Sequence, residues 1–212
     1  MRIRCVIFLL VIAALAAVPA WGESIHVDAG GTVNFSPNGG CTDALVQRIK
    51  EARSEILVQC YSFTSRRIAG ALEAAARHGV KVRVLADPSN LRERASLTRV
   101  MATRGVDVLY DDAHAIAHNK VMVFDGRAVA MGSFNFTGAA ERSNAENLLI
   151  LEDAGLAAVY AKNWHTHEAH SKPAEKVDMG CAATVSIGRS EIRERQGNSG
   201  KYRTRKARQC LI

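Results

Sequence analysis

Short apolar, β-branched runs alternate along the middle of the chain with stretches whose apolar residues recur every three or four positions. The first kind of pattern predicts strands at residues 32–35, 56–63, 80–86, 106–110 and 147–151. The second predicts helices at 42–53, where Leu45, Ile49 and Ala52 share a stripe, and after Thr64 or Ser65, where Ile68, Leu72 and Ala75 do. Further helices are expected at 92–104, stopping at Gly105, and at 154–167, capped by Asp153. Two more β-branched runs, 118–124 and 128–132, flank Asp125-Gly126, a favoured pair for a tight hairpin turn. Alternation of this kind predicts an α/β domain in which a mixed sheet lies between helices.

The hairpin also carries the chemistry. Side chains alternate along a strand, so His118 and Lys120 point one way while Val121 and Val123 point into a core. Ser133 and Asn135 repeat the two-residue spacing beyond the second strand, and Glu146 follows. An imidazole, an ammonium, a hydroxyl and a carboxamide can thus converge as a phosphate site with a nucleophile in it. The pattern H-x-K-x4-D, then G-S-x-N, then a glutamate resembles the HKD signature of the phospholipase D superfamily. It is similar above all to the small bacterial single-motif endonucleases of the Nuc type. The likeness extends through FSPNGG (35–40), CYSFTS (60–65) and RHGVKVRVLAD (77–87), and so over residues 33–170.

The resemblance implies an α/β/α sandwich and hydrolysis of a phosphodiester through a phosphohistidine on His118. Lys120, Ser133 and Asn135 would hold the non-bridging oxygens, and Glu146 would orient the imidazole. Asp125 completes the motif's catalytic set, although its place in the turn suits support of the hairpin better. Because the motif occurs once, a homodimer with a composite active site is expected, the second His118 protonating the leaving group. No cofactor and no metal are required. His165, His167 and His170, at i, i+2 and i+5, do not share one helical face and read as surface or interface residues, His114 as a loop residue. Trp164 reads as core or interface packing.

Composition changes the picture at the two ends. Of the 212 residues, 1–22 read as a signal peptide: Arg2 and Arg4, an apolar run from Val6 to Val18, then Ala20-Trp21-Gly22. An uncleaved anchor is the alternative; the expectation is export to a bacterial periplasm or beyond. Residues 23–172 form the catalytic domain, and 173–212 a basic, apolar-poor tail. The formal charge is +7, yet from Ile187 onward eight Lys/Arg oppose only Glu191 and Glu194. With Arg2 and Arg4 set aside, residues 23–186 are close to −1. The tail can therefore contact an anionic polymer or membrane surface, or be a solvated extension. Cys41, Cys60, Cys181 and Cys210 allow two disulfides in three connectivities, or plain burial. Nucleic acid is the first substrate expected and a phospholipid the second; a third reading is an inactive domain that binds either.

Overall fold

In the computed structural model, which describes residues 30–177, the β-branched runs pair into one seven-stranded sheet. The strands are β1 (Gly31–Ser36), β2 (Glu55–Cys60), β3 (Lys81–Ala86), β4 (Asp107–Tyr110), β5 (Lys120–Phe124), β6 (Ala128–Gly132) and β7 (Glu146–Leu151), in the order β1-β7-β6-β5-β2-β3-β4. β2, β3 and β4 run parallel; the other neighbours are antiparallel. The helices are α1 (Cys41–Glu51), α2 (Arg66–Arg77), α3 (Thr98–Ala102), α4 (Gly138–Arg142) and α5 (Ala154–Glu168). None of the helices described is long and apolar enough to cross a membrane.

Strands covered on both faces lose the apolar–polar alternation, and all five residues of β5 are buried. Leu57, Leu85, Val121, Val123 and Val129 pack on one face against Leu156, Ala157 and Trp164 of α5. The indole of Trp164 also donates to the carbonyl of Val58 (2.9 Å), which keeps its N–H satisfied where it is buried. Ile56, Val58, Met122 and Phe124 alternate to the opposite face, where α1 and α2 bury Leu45, Ile49, Ile68 and Leu72. This is the α/β/α arrangement that the pattern predicts.

Local signals act where they stand. Ser65 caps α2 and Asp153 caps α5, their side chains accepting from Ile68 and Leu156 N–H. Asp125 and Gly126 both take positive φ (52° and 63°), the turn that matches the twist of β5 and β6. Gly40 precedes α1 without a side-chain cap, and Glu141 of α4 serves instead, accepting from Gly40 and Thr42 N–H.

One expectation changes. The helix expected over 92–104 is cut to α3, because Asn90 and Ser96 bind the chain before it. Asn90 Nδ2 donates to the Tyr61 carbonyl, Ser96 Oγ donates to Asn90 Oδ1, and Leu97 N–H is drawn to the Phe63 carbonyl. The chain stays packed past residue 172: Lys172 exchanges backbone hydrogen bonds with Tyr110, a 3-10 turn spans Ala174–Lys176, and Val177 is buried. Cys41 and Cys60 are separate buried thiols. Burial, with Glu141 adding to it, pushes Cys41 up to about 11; burial and then Asp87 push Cys60 up further, so neither is a reactive thiolate. The signal segment, Cys181, Cys210 and the basic end of the tail lie outside the described residues.

Candidate active site

Antiparallel pairing of β5 with β6 and of β6 with β7 brings the start of β5, the end of β6 and the start of β7 to one end of the sheet. The end of β2 arrives there as well, with Cys60 in register with Lys120. His118 stands two residues before that register point with its imidazole exposed. The Tyr61 ring lies 4.6 Å from it, centroid to centroid. Asp87 steadies the approach, its carboxylate accepting from Ala117 N–H at 2.7 Å.

Lys120 is buried, and its Nζ donates to the His118 carbonyl at 2.6 Å while lying 5.2 Å from the centre of the Tyr61 ring. Burial pushes the Lys120 ammonium below its ordinary range, and the carboxylate of Glu146 pulls the other way. The result is an amine held in a fixed place beside His118. Ser133 Oγ accepts from the backbone and side-chain nitrogens of Asn147 (3.1 and 3.4 Å), which fixes the hydroxyl beyond β6. Gly132 allows this approach: at φ 152°, a Cβ there would run into the Asn147 carbonyl. Asn135 keeps its carboxamide oxygen buried without a hydrogen-bond partner among the described residues, and its Nδ2 is the atom that could donate to a phosphate oxygen. Glu146 accepts from Asn144 Nδ2 (3.0 Å); among the described residues no hydrogen bond joins it to His118. Its influence on the site is through charge on Lys120.

Asp125 is placed elsewhere. It sits at the far end of β5, roughly 20 Å of strand away from His118 at 3.3 Å per residue, and touches none of the site. Its carboxylate accepts from the backbone N–H groups of Arg53 (2.9 Å), Ser54 (2.8 Å) and Glu55 (3.0 Å) and from the Ser54 hydroxyl (2.8 Å). Of the two roles its motif and its turn suggest, this geometry is that of support: it fastens the hairpin to the loop before β2. Burial alone would raise its pKa, but these four donors hold it down to about 2. Since the folded value lies below that of the unfolded chain, this stabilisation is present above about pH 4 and is lost as pH falls toward about 2. Asp125→Ala should cost about 2 kcal/mol, read as a Tm lower by roughly 4–8 °C. Turnover per folded molecule should stay within about twofold. A variant of unchanged Tm and abolished turnover would return Asp125 to the catalytic set.

Tyr61 and Asp87 were not singled out from the sequence as site residues. Tyr61 lies within the CYSFTS stretch and Asp87 ends RHGVKVRVLAD, so the likeness covers both without marking either. His114, His167 and His170 meet around Asp111 at the end of β4, while His165 turns away to Glu168 (2.9 Å).

A family model described as "Cardiolipin synthase, PLD-like domain" matches residues 45–167, more than half the chain and all of the site. The chain belongs to the phospholipase D superfamily. Among its relatives is a protein named Phospholipase D from Rickettsia prowazekii (strain Madrid E), 42% identical over 137 residues, which are 65% of this chain and 67% of the relative. A mitochondrial cardiolipin hydrolase from Xenopus laevis is 36% identical over 121 residues, 57% of each chain. Of solved structures, the phospholipase D family member Nuc from Salmonella typhimurium superposes with a TM-score of 0.65 at 32% identity, over 68% of this chain and 97% of Nuc. The α/β fold of the superfamily and the class of enzyme, a phosphodiester hydrolase, follow from this membership.

Proposed function

We propose that this chain is a metal-independent endonuclease that cleaves nucleic-acid phosphodiesters through a phosphohistidine. The observation that favours nucleic acid is a groove lined by Arg66, Arg67, Arg94 and Arg142, with Glu141 as its acidic member. Thr64 and Ser65, which also line it, donate their N–H groups to the carbonyl of Phe136, the neighbour of Asn135. The groove thus lies near the site and carries guanidinium groups suited to phosphates, Arg67 among them being paired with Asp43. Leu97 and Val100 line the same groove, so the preference for nucleic acid rests on its guanidinium groups and not on a want of apolar surface.

In the reaction, the neutral imidazole of His118 attacks phosphorus while Lys120, Ser133 and Asn135 take up charge on the non-bridging oxygens. The imidazolium of a second copy's His118 gives its proton to the leaving oxygen. That imidazole then takes a proton from water, which attacks phosphorus and releases His118. The exposed Val33 and Phe35 on edge strand β1, with Phe35 in register with Asn147 beside the site, support pairing of two copies there. The basic and apolar pattern of residues 1–22 supports work outside the cytoplasm.

A second reading has its own support. The 42% identical Rickettsia protein is named Phospholipase D, and lipid headgroup cleavage would use the same attack. The discriminating experiment is hydrolysis in EDTA of single-stranded DNA beside phosphatidylcholine vesicles, with His118→Ala as control. DNA cleavage that is absent in His118→Ala and much weaker at low salt in Arg94→Glu/Arg142→Glu supports the nuclease. Headgroup release with intact DNA replaces it with the lipase; binding without cleavage of either leaves the non-enzymatic reading.

A further inference from the structure

The backbone pairing of Tyr110 with Lys172 draws the segment after α5 onto the end of β4. His167 and His170, three apart, then face Asp111, the residue that follows β4, and His114 folds back onto it from the same loop. We infer that Asp111, His114, His167 and His170 form a binding site for one zinc-class divalent cation per chain.

The geometry is that of a closed ligand set. One ligand atom from each of the four lies within 4.8 Å of the other three. From the Asp111 carboxylate the distances are 2.7 Å to His167 Nδ1, 3.0 Å to His114 Nδ1 and 3.1 Å to His170 Nε2. Ligands held tetrahedrally at about 2.0–2.1 Å from zinc stand about 3.3 Å apart, so the carboxylate must draw back by a few tenths of an ångström from each imidazole while ring nitrogens now up to 4.8 Å apart close on the ion. The carboxylate is almost wholly buried, while the side chain of His114 is 47% exposed and leaves a way in.

Hydrogen bonding alone does not account for the arrangement. Asp111 already accepts from Ala113 N–H (3.2 Å) and from the Nδ1 atoms of His114 and His167. His170 Nε2, although near Oδ1, is buried without a hydrogen-bond partner. A buried imidazole nitrogen with no hydrogen bond, 3.1 Å from a carboxylate that already has its donors, is what a shared cation would satisfy. Three nitrogens and one oxygen favour zinc over magnesium or calcium, which take oxygen ligands.

The ion would be structural. β4 lies three strand spacings from β5, about 14 Å, so it reaches no phosphodiester at His118. What it ties down is the loop between β4 and β5, whose last residues lead into His118, by clamping it to the end of α5. Neither the attack nor the dimer depends on it.

The test uses the full chain stripped with chelator and then dialysed. Titration with zinc, followed by calorimetry and against a chromogenic zinc indicator, should show one ion per chain and a Tm rise of several degrees at saturation. Magnesium at millimolar concentration should do neither. The His114→Ala/His170→Ala variant should bind zinc at least 100-fold more weakly, and His114→Ala alone, a change in an exposed loop that leaves folding intact, at least tenfold. Absence of saturable binding at equimolar zinc would overturn the site. So would wild-type affinity in His114→Ala and the double variant, which would put the ion elsewhere.

Discussion

Replacing His118 with alanine should lower kcat/KM for phosphodiester hydrolysis by about 10⁴-fold or more, because in the proposed mechanism it removes the nucleophile and, in a dimer, the proton donor together. The imidazole is exposed and, among the described residues, makes a ring contact with Tyr61, so Tm should move by no more than about 1 °C. Acid-quenched wild-type enzyme should carry phosphate on a histidine, and the variant none. Mixing subunits sharpens the result. If two copies share a site, wild-type activity should fall more steeply than dilution predicts as the variant is added in excess. A simple linear decline would mean that each copy works alone. The pH–rate profile should be bell-shaped, since one imidazole must attack without its proton while the other donates one. A profile with a single limb would remove the acid–base pair from the mechanism.

Lys120→Met should reduce kcat by about 10²- to 10³-fold, the loss that follows when one fixed stabiliser of a developing oxyanion is taken away. Stability should be unchanged or higher. The side chain is 8% exposed, and burial already disfavours its charge, so an apolar chain of similar length relieves a cost rather than adding one. Lys120→Arg should not restore the rate. The ammonium is seated on the His118 carbonyl under the Tyr61 ring, and a planar guanidinium cannot take that compact seat. A Lys120→Met enzyme with full kcat and a raised KM would make this residue a binder of substrate only.

Most of the fold was legible because its signals are local. The Asp125-Gly126 turn, the Ser65 and Asp153 caps and the alternation around β5 each act within a few residues. The 92–104 helix failed for a local reason of another kind, since the polar side chains of Asn90 and Ser96 outbid the helical period. The site was legible as a set of residue types, less so as roles. Asp125 shares a motif with His118 and Lys120, yet a motif is written along a strand whose two ends never meet. The arginine groove escaped notice because Arg66, Arg67, Arg94 and Arg142 come from separate segments. A charge count over residues 23–186 averages them with every acidic residue, near ones such as Glu141 and Asp43 and distant ones alike. The histidines around Asp111 depend on the Tyr110–Lys172 pairing, which no neighbouring residue announces.

The exile of Asp125 gives the motif's spacer a meaning of its own. Lys120 must stand at the mouth of the site while Asp125 is moored to the loop at the other pole, and β5 fills the interval. The count of residues between them is a gauge of the sheet's height. One residue inserted there would turn either the lysine or every apolar neighbour onto the wrong face. Transplanting these side chains onto another scaffold would therefore require a strand of the same length with a loop waiting at its foot. Copying the residues around the phosphate alone would leave the hairpin free to slip.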